Sequence, residues 1–254
     1  LAQQGLIPGI KVDTGAKPLA LSAGEKITEG LDGLRDRLAE YHELQARFAK
    51  WRAVITIDNQ LPSSLCIEAN AHALARYAAL CQEVGLVPIV EPGVLMDGPH
   101  DIQRCYEVTE ATLQAVFHEL QKHHVTFEEM LLKPNMVISG TDCPSQAPVK
   151  EVAEQTVRCL SRTVPDTVPG IVFLSGGQSD QLATAHLNAM NTLGSHRWEL
   201  SFSYGRALQQ AALMTWKGAA ANVPTAQKVL LQRARLNSEA RYGRYTESME
   251  KEVT

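Results

Sequence analysis

Lys133 lies in an apolar run, EEMLLKPNMV (128–137), where a charged side chain is unexpected. An ammonium group is rarely buried unless it is solvated or paired, because its desolvation is costly. A second lysine, Lys50, and a glutamate, Glu91, lie beside or within two other β-type runs. Two ammonium groups about 4 Å apart repel by roughly 4 kcal/mol at an effective dielectric of about 20, which lowers the pKa of one of them by about three units. The sequence therefore predicts a lysine that is partly neutral near neutral pH.

A partly neutral lysine in an apolar site can attack a carbonyl group and form a Schiff base. Lys133 is the better candidate nucleophile because its flanks are apolar and it lies in the middle of a predicted strand, whereas Lys50 is placed to lower its pKa. Glu91 is predicted to move the protons that carbinolamine formation and dehydration require. For each residue taken alone, a solvent-facing strand end is the simpler interpretation. Their combination predicts Schiff-base chemistry.

Six apolar, β-type runs alternate with helical patterns along the chain, and this order predicts the fold class. The runs are GLIPGIKV (5–12), AVITI (53–57), LVPIVEP (86–92), EEMLLKPNMV, PGIVFLSGG and WELSFSYG. Between them, apolar residues recur at helical spacing, as in ITEGLDGLRDRLAEYHELQARF and in DIQRCYEVTEATLQAVFHELQKHH. Strands that alternate with helices in this way predict an α/β fold with a parallel sheet buried on both faces.

The length of each β/α unit fits either a (β/α)8 TIM barrel or an open doubly wound sheet. No G-x-G-x-x-G follows the first strand, which weakens the dinucleotide-binding alternative. A barrel needs eight strands, the pattern supplies six, and the first of them begins close to Leu1. We therefore predict a single, partial TIM-barrel domain over 1–254 that lacks its first two β/α units. Two exposed sheet edges then predict poor solubility or a partly molten state for these residues expressed alone.

Charged and glycine-rich segments follow the predicted strands, at the end of the sheet where TIM barrels carry out their chemistry. Lys11 ends the first strand, and Arg52 lies at the start of the second. SGGQS (175–179) and SYGR (203–206) end the last two strands, which are the seventh and eighth if two units precede the others. Small residues let backbone N–H groups converge on a phosphate, and Arg206 adds a bidentate partner. The predicted ligand is a phosphorylated carbonyl compound.

Composition excludes several other classes of protein. A formal net charge of -4 argues against a nucleic-acid partner, and no run of eighteen uncharged apolar residues is present to span a membrane. The five cysteines are scattered without a C-x-x-C pair, and the opening residues lack the features of a signal peptide. No H-E-x-x-H is present, and the adjacent His123 and His124 are interpreted as surface residues. These features predict a cytoplasmic protein without a metal ion.

Seven segments of the chain resemble class I fructose-1,6-bisphosphate aldolase, in the order that the family shows. They are GIKVDTG, EGLDGL, FAKWR, VPIVEP, LLKPNMV, FLSGGQS and SFSYGRALQ. The resemblance runs from about residue 8 to about residue 245, and LLKPNMV and LSGGQS are its most specific parts. Another Schiff-base aldolase or a transaldolase is the runner-up among enzymes, and the seven-segment match argues against it.

The resemblance implies an eight-stranded barrel that reversibly cleaves fructose 1,6-bisphosphate to dihydroxyacetone phosphate and glyceraldehyde 3-phosphate, in glycolysis and gluconeogenesis, without a cofactor or a metal. It assigns the Schiff base to Lys133, acid–base catalysis to Glu91 and a catalytic role to Lys50. The implied substrate-binding residues are Lys11, Arg52, Ser175, Gly176, Gly177, Ser203, Gly205 and Arg206. A homo-oligomer, commonly a tetramer in this family, is implied as well.

Three departures from the family pattern bear on its activity, and two of them, the missing aspartate and Gly93, support a different hypothesis. The family's opening portion, with an aspartate that takes part in carbon–carbon cleavage, is not found, and the chain ends at TESMEKEVT without the mobile tail of animal members. In addition, Gly93 stands where the family usually has the second glutamate of VEPE. The alternative is therefore a catalytically impaired, shortened paralogue that acts as a binding or scaffold protein. The presence of Lys133, Lys50 and Glu91 weighs against it.

Overall fold

A computed structural model describes residues 2–251, which form strands and helices in alternation. The strands are β1 (Gly9–Lys11), β2 (Gly15–Pro18), β3 (Lys26–Glu29), β4 (Phe48–Ile55), β5 (Val87–Val94), β6 (Leu131–Leu132), β7 (Gly170–Phe173) and β8 (Glu199–Phe202). The helices are α1 (Leu34–Glu43), α2 (Ser64–Glu83), α3 (Ile102–Lys122), α4 (Val149–Thr163), α5 (Asp180–Thr192), α6 (Arg206–Trp216) and α7 (Val223–Arg241). Short 3-10 turns lie at Ala2–Gln4, Phe127–Glu129, Ala220–Asn222 and Glu247–Lys251.

Six of the strands form one parallel sheet in the order β1-β4-β5-β6-β7-β8. From β4 onward each strand is followed by a helix, so the chain returns along the outside of the sheet after every strand. This is the arrangement of six consecutive units of a (β/α)8 barrel, as the sequence predicts. Within residues 2–251, β1 and β8 are the edge strands of this sheet. No helix in the same range is long and apolar enough to cross a membrane.

A hairpin between β1 and α1 corrects the first predicted helix. The stretch predicted as helical begins at Ile27, but its first three residues belong to the strand Lys26–Glu29, which pairs antiparallel with Gly15–Pro18. Gly30 and Gly33 have φ angles of 124° and 63°, so the chain turns here and α1 begins only at Leu34. The helical spacing of apolar residues is real from α1 onward. Ile27 is the one apolar residue of the strand Lys26–Glu29, so this segment has no period of its own, and pairing with Gly15–Pro18 decides its conformation.

The bounds of two strands differ from the prediction and move the candidate lysines. β4 begins at Phe48, five residues before the predicted AVITI, so Lys50 and Arg52 lie well inside the strand. β6 contains only Leu131 and Leu132, so Lys133 follows the strand and is not in its middle. Pro134 explains this early end, because a proline has no N–H to donate to a strand ladder.

Alternating burial along β4 decides which way its side chains point. Trp51 and its neighbours two residues away on either side are buried, whereas Lys50 and Arg52 lie on the opposite face and are partly buried. Trp51 stacks on Tyr77 of α2 with ring centroids 5.6 Å apart, which adds about 1 kcal/mol beyond the area they bury. Packing against α2 therefore fixes the strand so that both cations face the inner side of the sheet.

Candidate active site

Strand register brings the candidate catalytic residues to the same level of the sheet. Arg52 of β4 is the register partner of Glu91 of β5, and paired residues of parallel strands point to the same face. Val90 of β5 pairs with Leu132 of β6, so Lys133 comes level with Glu91 one residue later. The Lys133 amide also donates to the Val90 carbonyl, at 2.8 Å. Three neighbouring strands thus contribute to one site.

Glu91 is the centre of this site, because one carboxylate contacts three cationic side chains. Its Oε2 lies 3.1 Å from Lys50 Nζ and 3.5 Å from Lys133 Nζ, and its Oε1 lies 3.6 Å from Arg52 Nε. Glu91 is only 3% exposed. Positive charge is therefore in excess inside a largely buried site, and such a site attracts an anionic ligand. The structure brings together the three residues predicted to be catalytic.

The pKa of Lys133 is lowered from its usual value, first of all because the side chain is buried. The nearby cations Lys50 and Arg52 lower it further, while Glu91 opposes them by stabilising the ammonium form. The sequence argument placed repulsion between lysines first, and the fold reverses that order: desolvation is the largest cause. A lowered pKa increases the fraction of neutral amine, which is the form that attacks a carbonyl.

Asp13 supports the site although it was not among the predicted site residues. It is buried, its Oδ2 accepts a hydrogen bond from the Arg52 amide at 3.2 Å, and its Oδ1 accepts one from the Gly15 amide at 3.1 Å. Thr28 of the hairpin donates to the Arg52 carbonyl at 2.7 Å. Both contacts hold the backbone that carries the Arg52 side chain. The motif GIKVDTG contains Asp13, but only the fold shows that it reaches β4.

Lys11 takes a different position from the other predicted cations. It pairs in register with Lys50, so both lie on the same face of adjacent strands. Its ammonium group bonds to the Asp13 carboxylate and, at 3.1 Å, to the Asp13 carbonyl, and its side chain is 51% exposed. Lys11 therefore lies at the rim of the site, where an exposed cation is available to an anionic group of a ligand.

Asn135, two residues after Lys133, fixes the chain that leaves β6. Its Oδ1 accepts a hydrogen bond from the Val94 amide at 3.3 Å, and its Nδ2 donates to Thr109 Oγ1 at 3.0 Å. Asn135 is 2% exposed, so these bonds satisfy a buried amide. This residue in LLKPNMV holds Lys133 next to β5, a role that the motif alone does not reveal.

The SGGQS loop after β7 requires glycine at its second position. Gly176 has a φ of 57°, and a Cβ there would come within 2.1 Å of Met96 Cε. Ser175 is buried, whereas Gly177 is exposed and donates its amide to Met96 Sδ at 2.9 Å. A loop that binds an anion through its backbone N–H groups needs glycine, because the missing Cβ lets the backbone come close to the anion.

The SYGR loop after β8 lies beside the SGGQS loop. The Ser203 amide donates to the Phe173 carbonyl of β7 at 2.9 Å, which joins the two loop starts. Gly205 is the N-cap of α6 and provides no side-chain cap; the Leu208 and Gln209 amides donate to its carbonyl, and among the described residues the Arg206 and Ala207 amides have no acceptor and remain open to a ligand. Arg206 is exposed, and no bond to its guanidinium is found within residues 2–251. These features fit an anion-binding helix N-terminus.

Gly93, the departure from the family pattern inside the site, lies on the same face of β5 as Glu91. A Cβ at this position would lie 3.1 Å from the Ala53 carbonyl oxygen and 3.5 Å from Arg52 Nε. Its backbone has no positive φ, so conformation does not require glycine here. Because glycine has no side chain, this position adds no second carboxylate to the site. Glu91 is the carboxylate that Lys50, Lys133 and Arg52 contact.

Comparison with known proteins agrees with this geometry. The family described as "Fructose-bisphosphate aldolase class-I" matches residues 1–254. A Xanthomonas campestris protein described as "Probable fructose-bisphosphate aldolase class 1" is 62% identical over 246 residues, which cover 96% of this chain and 74% of the relative. "Fructose-bisphosphate aldolase 4, cytosolic" of Arabidopsis thaliana is 56% identical, covering 96% of this chain and 63% of its own length. The solved fructose-bisphosphate aldolase from Plasmodium falciparum is 51% identical with a TM-score of 0.95, covering 96% of this chain and 71% of that one.

Proposed function

The chain belongs to the class I fructose-bisphosphate aldolase family, and from that premise we propose that Glu91, Lys50 and Lys133 carry out the reaction in this protein. The reaction is the reversible cleavage of fructose 1,6-bisphosphate to dihydroxyacetone phosphate and glyceraldehyde 3-phosphate through a lysine Schiff base. One observation carries the assignment: Glu91 Oε2 lies 3.1 Å from one lysine and 3.5 Å from the other in a largely buried site. The fold is accordingly that of a TIM-barrel lyase.

Lys133 is the nucleophile in this proposal. Its neutral amine attacks the ketone carbon C2 of the substrate, and the oxygen takes up a proton to form a carbinolamine. Glu91, 3.5 Å from Lys133 Nζ, passes protons to and from the reacting groups, so that the hydroxyl leaves as water and an iminium ion remains. Lys50 keeps the amine partly neutral and adds positive charge beside the oxygen that departs.

The iminium ion then acts as the electron sink. The bond between C3 and C4 breaks, its electron pair moves toward the iminium nitrogen to give an enamine, and the C4 hydroxyl passes its proton to Glu91 as it becomes the aldehyde of glyceraldehyde 3-phosphate. Protonation of the enamine at C3 and addition of water to the iminium carbon release dihydroxyacetone phosphate and the free Lys133 amine. Dehydration, cleavage and enamine protonation therefore each need a group that takes up or supplies a proton, which is the role proposed for Glu91.

The two glycine-rich loops are proposed to bind the phosphate on the ketose side. Ser175, Gly176 and Gly177 supply the loop after β7, and Ser203, Gly205 and Arg206 supply the loop after β8 and the start of α6. Lys11 and Arg52, on the other side of the lysine cluster, are proposed to contact the remainder of the sugar bisphosphate. Support comes from the open amides at the α6 N-terminus and from the Arg206 guanidinium, which has no bond to any residue of the described range.

The scaffold alternative has less support than catalysis. A protein kept only for binding does not need a buried glutamate between two lysines, and burying such groups is unfavourable for stability. Here all three residues remain in contact, with Glu91 3% exposed. Relatives at 62% and 56% identity are described as aldolases. The chemistry of the site and the relatives therefore favour the same reaction.

Two broader features are also proposed. We expect one TIM-barrel domain over residues 1–254, in a protein that assembles as a homo-oligomer, with a tetramer as the expected state; light scattering of the purified protein measures the assembly. A cytosolic location is supported by the Arabidopsis relative that is described as cytosolic. Fluorescence microscopy of the tagged protein in its own cells tests the location.

Borohydride trapping tests the Schiff-base assignment directly. Dihydroxyacetone phosphate and sodium borohydride are added to the folded protein, and the peptides are then mapped by mass spectrometry. We expect a reduced adduct on Lys133, because reduction converts the iminium ion into a stable secondary amine. The near-isosteric variant Lys133→Met, which lacks the amine, should give no adduct.

A matched lysine variant controls for nonspecific labelling. Lys150 is exposed on α4, and its ion pair among the described residues is with Glu154, so Lys150→Met should label as the unaltered protein does. Circular dichroism establishes that each sample is folded before trapping. An adduct on another lysine, or none from a folded sample, would overturn the assignment and place the scaffold hypothesis first.

A further inference from the structure

A second cluster of a carboxylate and nitrogen bases lies on the outer helical layer, away from the lysines. We name it the histidine cluster: His72 of α2, Glu119 of α3 and His123 at the C-terminal end of α3. Each of the three offers one ligand atom, and these atoms all lie within 4.8 Å of one another. Within residues 2–251 this is the one group of three or more His, Cys, Asp or Glu side chains with such spacing.

Helix geometry builds the cluster from two sides. Glu119 and His123 are four residues apart, so they lie on one face of α3. His72 approaches from α2, which packs along α3, and it is 47 residues from Glu119 in the sequence. The imidazole rings of His72 and His123 meet edge to face with centroids 4.9 Å apart. Tertiary packing thus brings two imidazoles to one carboxylate.

The separations between donor atoms are those that a small metal ion requires. His72 Nδ1 lies 3.0 Å and His123 Nδ1 lies 3.8 Å from Glu119 Oε2. Ligands about 2.1 Å from a tetrahedral zinc ion are about 3.4 Å from one another, and the two measured distances lie on either side of that value. An ion bound here replaces the hydrogen bond between His72 Nδ1 and Glu119 Oε2, and His123 rotates so that a ring nitrogen turns from the Glu119 carbonyl toward the ion.

Contacts with nitrogen atoms orient the Glu119 carboxylate. Its side chain is only 14% exposed, and its Oε2 lies 3.0 Å from His72 Nδ1. Lys122 Nζ contacts Oε1 at 2.6 Å, which leaves Oε2 directed at the histidines. His123 Nδ1 lies 2.9 Å from the Glu119 carbonyl oxygen, a contact that holds the imidazole beside the carboxylate and that an ion bound at Nδ1 replaces.

We propose that the histidine cluster binds a divalent first-row transition metal ion, of which Zn²⁺ is the representative. Two imidazoles and a carboxylate suit Zn²⁺, Ni²⁺ or Cu²⁺, whereas Mg²⁺ and Ca²⁺ prefer a set of oxygen ligands. The fourth position faces solvent, because His72 is about half exposed. The bound ion links α2 to α3 and stabilises the outer layer of the barrel.

The metal site is separate from the proposed chemistry. α3 runs from the carboxyl end of β5 back toward the amino end of β6, so His123, which follows its last residue, lies at the end of the sheet opposite Lys133. Binding of Zn²⁺ therefore stabilises the fold without contact with the lysine cluster. Failure of either proposal leaves the other unaffected.

Calorimetric titration of ZnCl2 into untagged, chelator-treated protein tests the site, with MgCl2 titrated in parallel. We expect one Zn²⁺ per chain, no Mg²⁺ binding at the same concentrations, and a melting temperature that rises with Zn²⁺. His72→Ala and His123→Ala should each weaken Zn²⁺ binding at least about tenfold, since the loss of even an outer contact has an effect of that size. Co²⁺ added in place of Zn²⁺ should give visible absorption bands that both variants lose.

His118→Ala is the matched control, because His118 is exposed on α3 but is not part of the cluster. It should bind Zn²⁺ as the unaltered protein does. Circular dichroism without metal, together with the Lys133 adduct, reports whether each variant is folded. Equal Zn²⁺ affinity in the unaltered protein and in a folded His72→Ala/His123→Ala double variant would overturn the proposal, and so would absence of Zn²⁺ binding.

Discussion

The lysine cluster and the histidine cluster use the same arrangement, one carboxylate between nitrogen bases, in two different environments. At the lysine cluster Glu91 lies 3.1 Å and 3.5 Å from two ammonium groups, on the inner face of three strands. At the histidine cluster Glu119 lies 3.0 Å from His72 and 2.6 Å from Lys122, on the surface of two helices. The contact distances are similar, so distance alone does not separate their chemistry.

Burial separates them. In the lysine cluster desolvation is the largest influence on Lys133, and it lowers the pKa of the amine toward the working range of a nucleophile. In the histidine cluster hydrogen bonds dominate, and they lower the pKa of Glu119 to about 2. The surroundings of the buried cluster disfavour the charged form of Lys133, whereas those of the exposed cluster favour the charged form of Glu119. Similar groups thus produce a reactive amine in one place and a permanent anion in the other.

Removing the carboxylate from the buried cluster should have the largest effect. Glu91→Gln is expected to lower kcat for fructose 1,6-bisphosphate cleavage by about 10²–10⁴-fold, because proton transfer to and from the carbinolamine is lost. Glu119→Gln, the matched change in the exposed cluster, should leave kcat unchanged. Steady-state kinetics on both folded variants measures the difference. Equal effects of the two changes would show that Glu91 has no special role in proton transfer.

Removing the neighbouring cation should have an intermediate effect that depends on pH. Lys50 lowers the pKa of Lys133, so Lys50→Met should raise that pKa and reduce the fraction of neutral amine near neutral pH. A rise of one unit reduces that fraction about tenfold. The rate of borohydride trapping with dihydroxyacetone phosphate, measured across pH, should therefore have its midpoint at higher pH. An unchanged midpoint in Lys50→Met, with Lys150→Met as the control, contradicts this account.

The smallest expected effect is on stability at the exposed cluster. The pKa of Glu119 is about 2 in the folded protein against an ordinary value of 4.5, so its contribution to stability is present above about 4.5 and is lost as pH falls toward 2. Glu119→Gln should lower the free energy of unfolding at neutral pH by no more than about 1 kcal/mol, because the partners are exposed. Urea denaturation at neutral pH and near pH 3 measures the difference between the two proteins. A difference that does not shrink at the lower pH would contradict this interpretation.

Much of the lysine cluster is predictable from the sequence because each of its residues lies in a short segment with a local signal. An amine between apolar residues at Lys133, a glutamate at the end of a β-branched run at Glu91 and cations in FAKWR all stand out without a structure. Parallel strands bring their carboxyl ends to one edge, so such residues are expected to meet. The hairpin β2–β3 and the true start of β4 were not predicted, because the residue pattern of so short a segment does not decide its conformation.

The sequence by itself determined the order of β/α units, the family and the identities of the proposed catalytic residues, since these depend on residue types within single elements. Only the tertiary structure decided that burial outweighs repulsion at Lys133, that Asp13 reaches the Arg52 amide, and that His72 meets Glu119 across 47 residues. Adjacent His123 and His124 suggested only an exposed surface, and the sequence has no metal-ligand spacing around them. Burial and contact between distant elements arise when helices and strands pack, and no local pattern of residues encodes them.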